Sequence, residues 1–169
     1  MQQNIFVFIG TIGPFILIFL SLFLLRSKFI FLLFYIVGFV VNHVLNIILK
    51  ITIQDPRPQE DIVLFELALK HGKRPAIEKY GMPSGHAQSV GYSCAFIFLT
   101  IYNTYILWGY LIISLITMMQ RYIYKRHTLF QIVIGYIIGI IMGTLTYTIS
   151  NKFIQGKMTQ KADDFCFVW

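Results

Sequence analysis

Residues 128–149 have the sequence TLFQIVIGYIIGIIMGTLTYTI, which decides the class of fold. The stretch holds no acidic or basic residue and is long enough to cross the roughly 30 Å hydrocarbon core of a bilayer as one helix. Gly135, Gly139 and Gly143 recur at every fourth residue. Small residues at this spacing let two transmembrane helices approach closely. We therefore predict a transmembrane helix that packs tightly on another helix, with packing inside the same chain favoured over dimerisation.

The rest of the chain has the same character. Of its 169 residues, 57% are apolar and 12% are charged, whereas soluble domains carry about 25% charged residues. Five stretches are apolar and long enough to be spans: 5–25, 29–50, 85–102, 104–120 and 128–149. We predict an all-α, polytopic membrane bundle of about five transmembrane helices. Residues 1–150 are assigned to one membrane-embedded domain, and 151–169 to a polar, then aromatic, C-terminal tail.

The longest interval between predicted spans covers residues 51–84. Pro58 opens a short apolar pattern that predicts a helix over 59–71, and Gly72 ends it. Such a helix fits a position on the membrane surface beside a site. An ordinary packed loop helix explains the pattern equally well, and both interpretations stay open.

Alternating spans bring the strongest polar residues to one membrane face. Lys50 ends the second span and His86 begins the third, while Arg121 ends the fourth and His127 begins the fifth. Arg57 follows Lys50 on the same side. Charged groups at a bilayer are costly unless they face a cavity or a partner. We therefore expect these five side chains to share one site.

The chemistry of this set points to an anionic ligand. The nearest carboxylate, Asp55, stands alone, so the cations imply an anion from outside, and phosphate is the obvious candidate. The net charge of +7 could also indicate nucleic acid, but the basic residues lie at the ends of apolar runs and fit phosphate or lipid headgroups better. The two cysteines, Cys94 and Cys166, show no metal or disulfide spacing.

Three short motifs carry a family resemblance. They are Lys50 followed, after six intervening residues, by Arg57-Pro58; Pro83-Ser84-Gly85-His86; and Arg121 followed, after five intervening residues, by His127. Together they resemble the signature of the type 2 phosphatidic acid phosphatase superfamily. The signature covers residues 50–131, about half of the chain.

Two positions depart from the usual pattern of that superfamily. Gln120 stands where a serine usually precedes the arginine, and Gln131 where an aspartate usually follows the histidine. The dolichyldiphosphatase branch resembles this chain in having a glutamine at the second position. Further similarities to that branch lie at 42–45, 54–58 and 80–84, at Gln88, and at His127-Thr128.

The resemblance implies a role for each motif residue. His127 is the expected nucleophile that forms a phosphohistidine, and His86 the general acid and base. Gln131, one helical turn after His127, is expected to accept the other ring N–H and so fix the tautomer. The expected phosphate-binding residues are Lys50, Arg57, Ser84, Gly85 and Arg121. The resemblance implies neither a metal ion nor another cofactor.

The function implied is hydrolysis of a membrane lipid phosphate. The leading hypothesis is a phosphatase that converts a polyprenyl (dolichyl-type) diphosphate to the monophosphate and inorganic phosphate. The alternatives are a phosphatase of phosphatidic acid or sphingoid phosphates, and a non-catalytic phospholipid-binding membrane protein. The expected partners are the lipid substrate and membrane lipids and not nucleic acid, and the oligomeric state stays open. The resemblance also implies an endoplasmic reticulum membrane with the site facing the lumen. The charge pattern does not decide sidedness, because the Lys and Arg residues are shared too evenly between the two faces.

Other polar residues near the motifs have two interpretations. His43, Asn46 and Lys50 form a stripe at helical spacing on the second span, which either lines a route to the site or, as we favour, makes hydrogen bonds between helices. Lys125 and Arg126 are either headgroup contacts or interface anchors.

Overall fold

The computed structural model describes residues 5–58, 66–67 and 76–157, and over these ranges the protein is a bundle of five long helices. The helices are α1 (Ile5–Leu24), α2 (Phe29–Ile53), α3 (Gly85–Ile101), α4 (Thr104–Ile123) and α5 (Leu129–Lys157). One 3-10 turn, Ala76–Lys79, precedes α3. The prediction of an all-α, polytopic membrane bundle is confirmed.

Four of these helices, α1, α2, α4 and α5, are long and apolar enough to cross a membrane. The third predicted span, 85–102, corresponds to α3, which has 17 residues and lies among the other four helices. The last helix continues to Lys157, eight residues past the predicted end of its span at 149. Of the helix predicted over 59–71, only Glu66 and Leu67 are described, both helical, and the rest of that prediction lies outside the described residues, as does 158–169.

The central position of α3 follows from close packing against α5. An added Cβ at Gly139 would lie 2.9 Å from the backbone nitrogen of Tyr92, and one at Gly143 would lie 2.5 Å from the carbonyl oxygen of the same residue. At Gly135 it would lie 2.6 Å from the carbonyl oxygen of Ser84, just before α3. The glycine stripe therefore packs within the chain, as predicted, and it sets the beginning of α3 directly against α5.

Hydrogen bonds between helices reinforce this core. The hydroxyl groups of Tyr35 on α2 and Ser93 on α3 lie 2.8 Å apart, and the Tyr92 hydroxyl donates to the Tyr35 carbonyl at 2.9 Å. The hydroxyl groups of Ser21 on α1 and Tyr110 on α4 lie 2.9 Å apart. Such bonds satisfy polar groups that hydrocarbon cannot solvate. Large apolar side chains cover the outside of the bundle, as a lipid-facing surface requires.

Candidate active site

One cavity of about 500 Å³ lies at the end of the bundle where α2 and α4 end and α3 begins. Six of the predicted site residues line it: Lys50, Arg57, Gly85, His86, Arg121 and His127. The same cavity is continuous with apolar side chains of α1 and α2, namely Pro14, Phe15, Ile18 and Phe39. The structure thus brings the predicted polar residues together and joins them to an apolar lining.

Three cations line the polar part of the cavity, and we call Lys50, Arg57 and Arg121 the cation cluster. Lys50 lies in the last turn of α2 and Arg121 in the last turn of α4, where cations also suit the helix dipole. Arg57 is held by the backbone, since its Nε donates to the Glu78 carbonyl at 2.6 Å and its NH1 donates to the Arg126 carbonyl at 3.3 Å. This anchoring links the chain after α2 to the loop between α4 and α5.

One acid was missed by the sequence argument. Glu78, from the 3-10 turn, lines the cavity, so the expectation that Asp55 would be the only nearby carboxylate is wrong. Residues 59–77 separate Glu78 from the first motif, and no sequence pattern predicted that Glu78 would return to the cavity. The three cations still exceed this single carboxylate, so the cavity remains suited to an anion.

His127 lies in the loop between α4 and α5 and is 4% exposed. Its Nδ1 lies 2.9 Å from the Gly81 carbonyl oxygen and 3.3 Å from the Gln131 side-chain oxygen. Both oxygens are acceptors, so Nδ1 carries the proton and the lone pair is on Nε2. Burial lowers the pKa of His127 well below its ordinary value, and the positive charges of the cation cluster add to this shift. The ring is therefore neutral, as a nucleophile must be.

The partner of His127 differs in part from the prediction. Gln131 does contact His127, but the shorter hydrogen bond goes to the backbone of Gly81. An added Cβ at Gly81 would lie 2.5 Å from the Gln131 side-chain oxygen, so glycine is needed there for both acceptors to reach one ring. A backbone acceptor carries no side-chain signature, which is why the sequence indicated only Gln131.

His86 lies in the first turn of α3 and faces two groups. Its Nε2 contacts the Arg121 guanidinium and lies 3.2 Å from the Thr11 carbonyl oxygen of α1. Arg121 can only donate, so that contact uses an unprotonated Nε2, whereas the Thr11 carbonyl can only accept a hydrogen bond from a protonated Nε2. The surroundings thus offer a partner to each protonation state of the same nitrogen.

Ser84 and Gly85 lie at the N-terminus of α3. Gly85 lines the cavity, where the helix N-terminus favours an anion. Ser84 is fully buried, and its backbone N–H donates to the main-chain carbonyl of Gln131 at 3.1 Å. Among the described residues its hydroxyl has no hydrogen-bond partner. An unsatisfied buried hydroxyl is costly, but Ser84 is not among the residues that line the cavity.

The comparison with known families identifies a superfamily. The model of the PAP2 superfamily matches residues 14–155, most of the chain and nearly all of the bundle. The chain belongs to the PAP2 superfamily. Members of this superfamily are phosphatases. No curated protein and no solved structure matches the chain.

Within the PAP2 motifs, the unusual Gln120 serves helix packing. It is 5% exposed and lies against Gly10 of α1, and its Nε2 is 3.5 Å from the Thr11 hydroxyl. The large amide side chain thus fills the contact between α1 and α4.

The other polar residues near the motifs make hydrogen bonds between helices, line the cavity or line a separate depression. Asn46 donates to the Gln88 side-chain oxygen at 2.8 Å and to the Pro83 carbonyl at 3.2 Å, so the favoured interpretation of hydrogen bonding between helices is confirmed for it. Asn46 also lines the cavity, as the other interpretation predicted. Gln88 in turn donates to the side chain of Asn42 at 2.9 Å. His43 lines the cavity with an exposed side chain. Lys125 lines a separate depression beside His127.

Proposed function

We propose that the protein is a membrane lipid phosphatase that hydrolyses a polyprenyl diphosphate of the dolichyl type to the monophosphate and inorganic phosphate. One observation carries the proposal: a single cavity joins the cation cluster and two histidines to an apolar lining from α1 and α2. This combination suits a ligand with an anionic head and an apolar tail. Membership of the PAP2 superfamily supports phosphate chemistry at that site.

In the first step, Nε2 of His127 attacks the terminal phosphorus. The P–N bond forms while the bond to the bridging oxygen breaks, and the lipid monophosphate departs. His86 is placed to protonate the departing oxygen. The cation cluster and the N-terminus of α3 stabilise the charge on the equatorial oxygens. In this scheme Ser84 adds a hydroxyl donor.

In the second step, water attacks the phosphohistidine. His86 accepts a proton from the water, and the P–N bond breaks. Inorganic phosphate is released, and His127 returns to its neutral form. The Gly81 carbonyl and Gln131 hold Nδ1–H throughout, so the attacking nitrogen stays the same in every turnover. These steps require no metal ion or cofactor.

The choice of a diphosphate rests on the local similarities to the dolichyldiphosphatase branch. The cavity offers polar lining beyond the cation cluster, since His43 and Ser89 also face it. The second phosphate of a diphosphate substrate can be placed against this additional polar lining.

The resemblance to the dolichyldiphosphatase branch also supports a position in the endoplasmic reticulum membrane with the site facing the lumen. We also retain residues 1–150 as one membrane phosphatase domain followed by the tail 151–169.

A side-by-side assay of phosphate release from dolichyl diphosphate and phosphatidic acid tests the proposal. We expect a higher kcat/KM for the diphosphate. A preference for phosphatidic acid would move the protein to the monophosphate class. Absence of release from any lipid phosphate, by protein that remains folded, would favour a non-catalytic phospholipid-binding protein.

A further inference from the structure

The Gln131 side chain lies between His127 and a carboxylate. It is 1% exposed, and its Nε2 donates to Asp55 Oδ2 at 2.5 Å and to the Pro56 carbonyl at 2.8 Å. Its Oε1 lies 3.3 Å from Nδ1 of His127 and accepts from the Thr128 N–H at 3.2 Å. The amide therefore connects the ring to Asp55 through one side chain.

The chemistry of the neighbours fixes the orientation of this amide. A carboxylate and a backbone carbonyl can only accept hydrogen bonds, so the NH₂ group of Gln131 must face Asp55 and Pro56. The carbonyl group then faces His127, which keeps the proton on Nδ1 and leaves the lone pair on Nε2. A hydrogen bond to an ionised carboxylate also polarises the amide and strengthens Oε1 as an acceptor.

The backbone of Asp55 supports the second acceptor of His127. Its carbonyl accepts from the Gly81 N–H at 2.7 Å. The Gly81 carbonyl in turn accepts from Nδ1 of His127 at 2.9 Å. One residue thus holds both groups that orient the ring, Gln131 through its side chain and Gly81 through its main chain.

We propose that Asp55 is a positioning residue for His127, acting through Gln131, and that it supplies on the Nδ1 side the negative charge that Gln131 lacks. This inference rests on the proposed phosphohistidine reaction. As the P–N bond forms, positive charge develops on the ring while the cation cluster opposes it. A carboxylate separated from the ring by one polarised amide offsets part of that repulsion. The chain thereby uses an amide next to His127 and places the carboxylate behind it.

Asp55→Asn is the first test, because asparagine keeps an acceptor for Gln131 and removes the charge. We expect kcat on the diphosphate to fall about tenfold, with KM changed by less than about twofold. The comparison is with metal-ligating histidines, where loss of the group that orients the ring costs about 10- to 100-fold. Asp55→Ala should cost at least as much. Thr52→Ala is the matched control, because Thr52 is exposed near the same end of α2 and its hydroxyl bonds the Ile48 carbonyl of its own helix. The control should keep wild-type kcat, and an unchanged kcat in Asp55→Ala would overturn the proposal.

A double-mutant cycle tests whether Asp55 acts through Gln131. If it does, adding Asp55→Ala to Gln131→Ala should lower kcat by no more than about twofold beyond Gln131→Ala alone. Losses that multiply independently would overturn the proposed connection.

The Nδ1–H resonance of His127 provides a readout that does not depend on turnover. NMR of the ¹⁵N-histidine-labelled protein should show Nδ1–H in the wild type and in Asp55→Ala, because the Gly81 carbonyl still accepts from it. In Asp55→Ala the chemical shift of the Nδ1 proton should move upfield, because the hydrogen bond to Gln131 is weakened. If the wild type releases no phosphate from any lipid, the proposed function fails, and this measurement still decides the role of Asp55. An unchanged chemical shift of the Nδ1 proton in Asp55→Ala would overturn that role.

Discussion

The surroundings of the His127 side chain could be predicted in part from residue types and spacing. Its place at the start of the last span predicted a shared site with His86 and the cations, and the structure lines one cavity with them. The spacing to Gln131 predicted a contact, which exists at 3.3 Å. The Gly81 carbonyl could not be predicted, because a backbone group is brought to the ring by the fold of residues 76–84 and leaves no trace in residue type.

The protonation of His127 gives the first prediction. Since burial and the cation cluster lower its pKa, the ring of the ligand-free protein should stay neutral well below the ordinary histidine value of about 6.5. A ¹⁵N NMR titration of His127 should give a midpoint below that value. Bound phosphate should raise the midpoint, because an anion favours the charged ring. A midpoint at or above 6.5 without ligand would contradict the described environment.

His86 gives a prediction that also separates the substrate classes. A phosphate leaving group is much less basic than an alkoxide and depends less on protonation by His86, so His86→Ala should still form the phosphohistidine from a diphosphate. Hydrolysis of that intermediate needs the base, so turnover should fall about 10²- to 10⁴-fold while labelled protein accumulates. A monophosphate ester must expel a basic alkoxide, so no accumulation is expected from phosphatidic acid.

Rapid quenching with substrate labelled in the terminal phosphate measures this accumulation. The double variant His86→Ala, His127→Ala is the control and should carry no label. Failure of His86→Ala to accumulate label from the diphosphate would argue against the two-step role of His86.

At the scale of elements, the glycine stripe of α5 explains the position of the site. Its spacing alone predicted close packing, but which helix it meets depends on the topology of all five. The structure shows that it meets α3, and that Gly135 lies against Ser84 at the beginning of that helix. The packing of two spans thus sets the distance between the second and third motifs.

Gly139→Ala tests this packing. The added methyl group would lie 2.9 Å from the backbone nitrogen of Tyr92, and a backbone cannot move aside as a flexible side chain can. We expect a loss of about 1–3 kcal/mol in the free energy of unfolding, the usual cost of overpacking. Gly109→Ala on α4 is the matched control, since nothing lies within 4 Å of an added Cβ there. Because alanine is the better helix former, the control should keep or slightly raise stability. Equal thermal stability in detergent for both variants would contradict the proposed packing.

At the scale of the whole molecule, composition and span lengths were enough to predict the membrane bundle. Four of the predicted spans correspond to helices long enough to cross a bilayer, and the fifth is the enclosed α3. The alternating direction of the spans also predicted that the ends of α2 and α4 and the beginnings of α3 and α5 lie on the same side of the membrane. It could not predict Glu78 in the cavity or the contact of Asp55 with Gln131, because both depend on how the long interval between α2 and α3 returns to the bundle.

The apolar part of the cavity predicts where the lipid tail lies. Phe15 on α1 lines the cavity, whereas Phe19, one turn later and 69% exposed, is absent from its lining. Phe15→Ala should lower kcat/KM for a long-chain diphosphate about three- to tenfold, because part of an aromatic contact worth about 1.5–3 kcal/mol is lost. Phe19→Ala should change it by less than about twofold. A short, water-soluble diphosphate should be hydrolysed equally by both variants. Equal effects of the two variants on the long-chain substrate would place its tail elsewhere.

The most direct test of the account locates the phosphate during turnover. Purified protein is quenched while hydrolysing a polyprenyl diphosphate labelled in its terminal phosphate, and the labelled peptide is mapped. We predict acid-labile phosphate on Nε2 of His127, because Nδ1 is held by Gly81 and Gln131. We also predict that folded His127→Ala protein carries no label and releases no phosphate. Label on another residue, or turnover that persists in His127→Ala, would contradict the account.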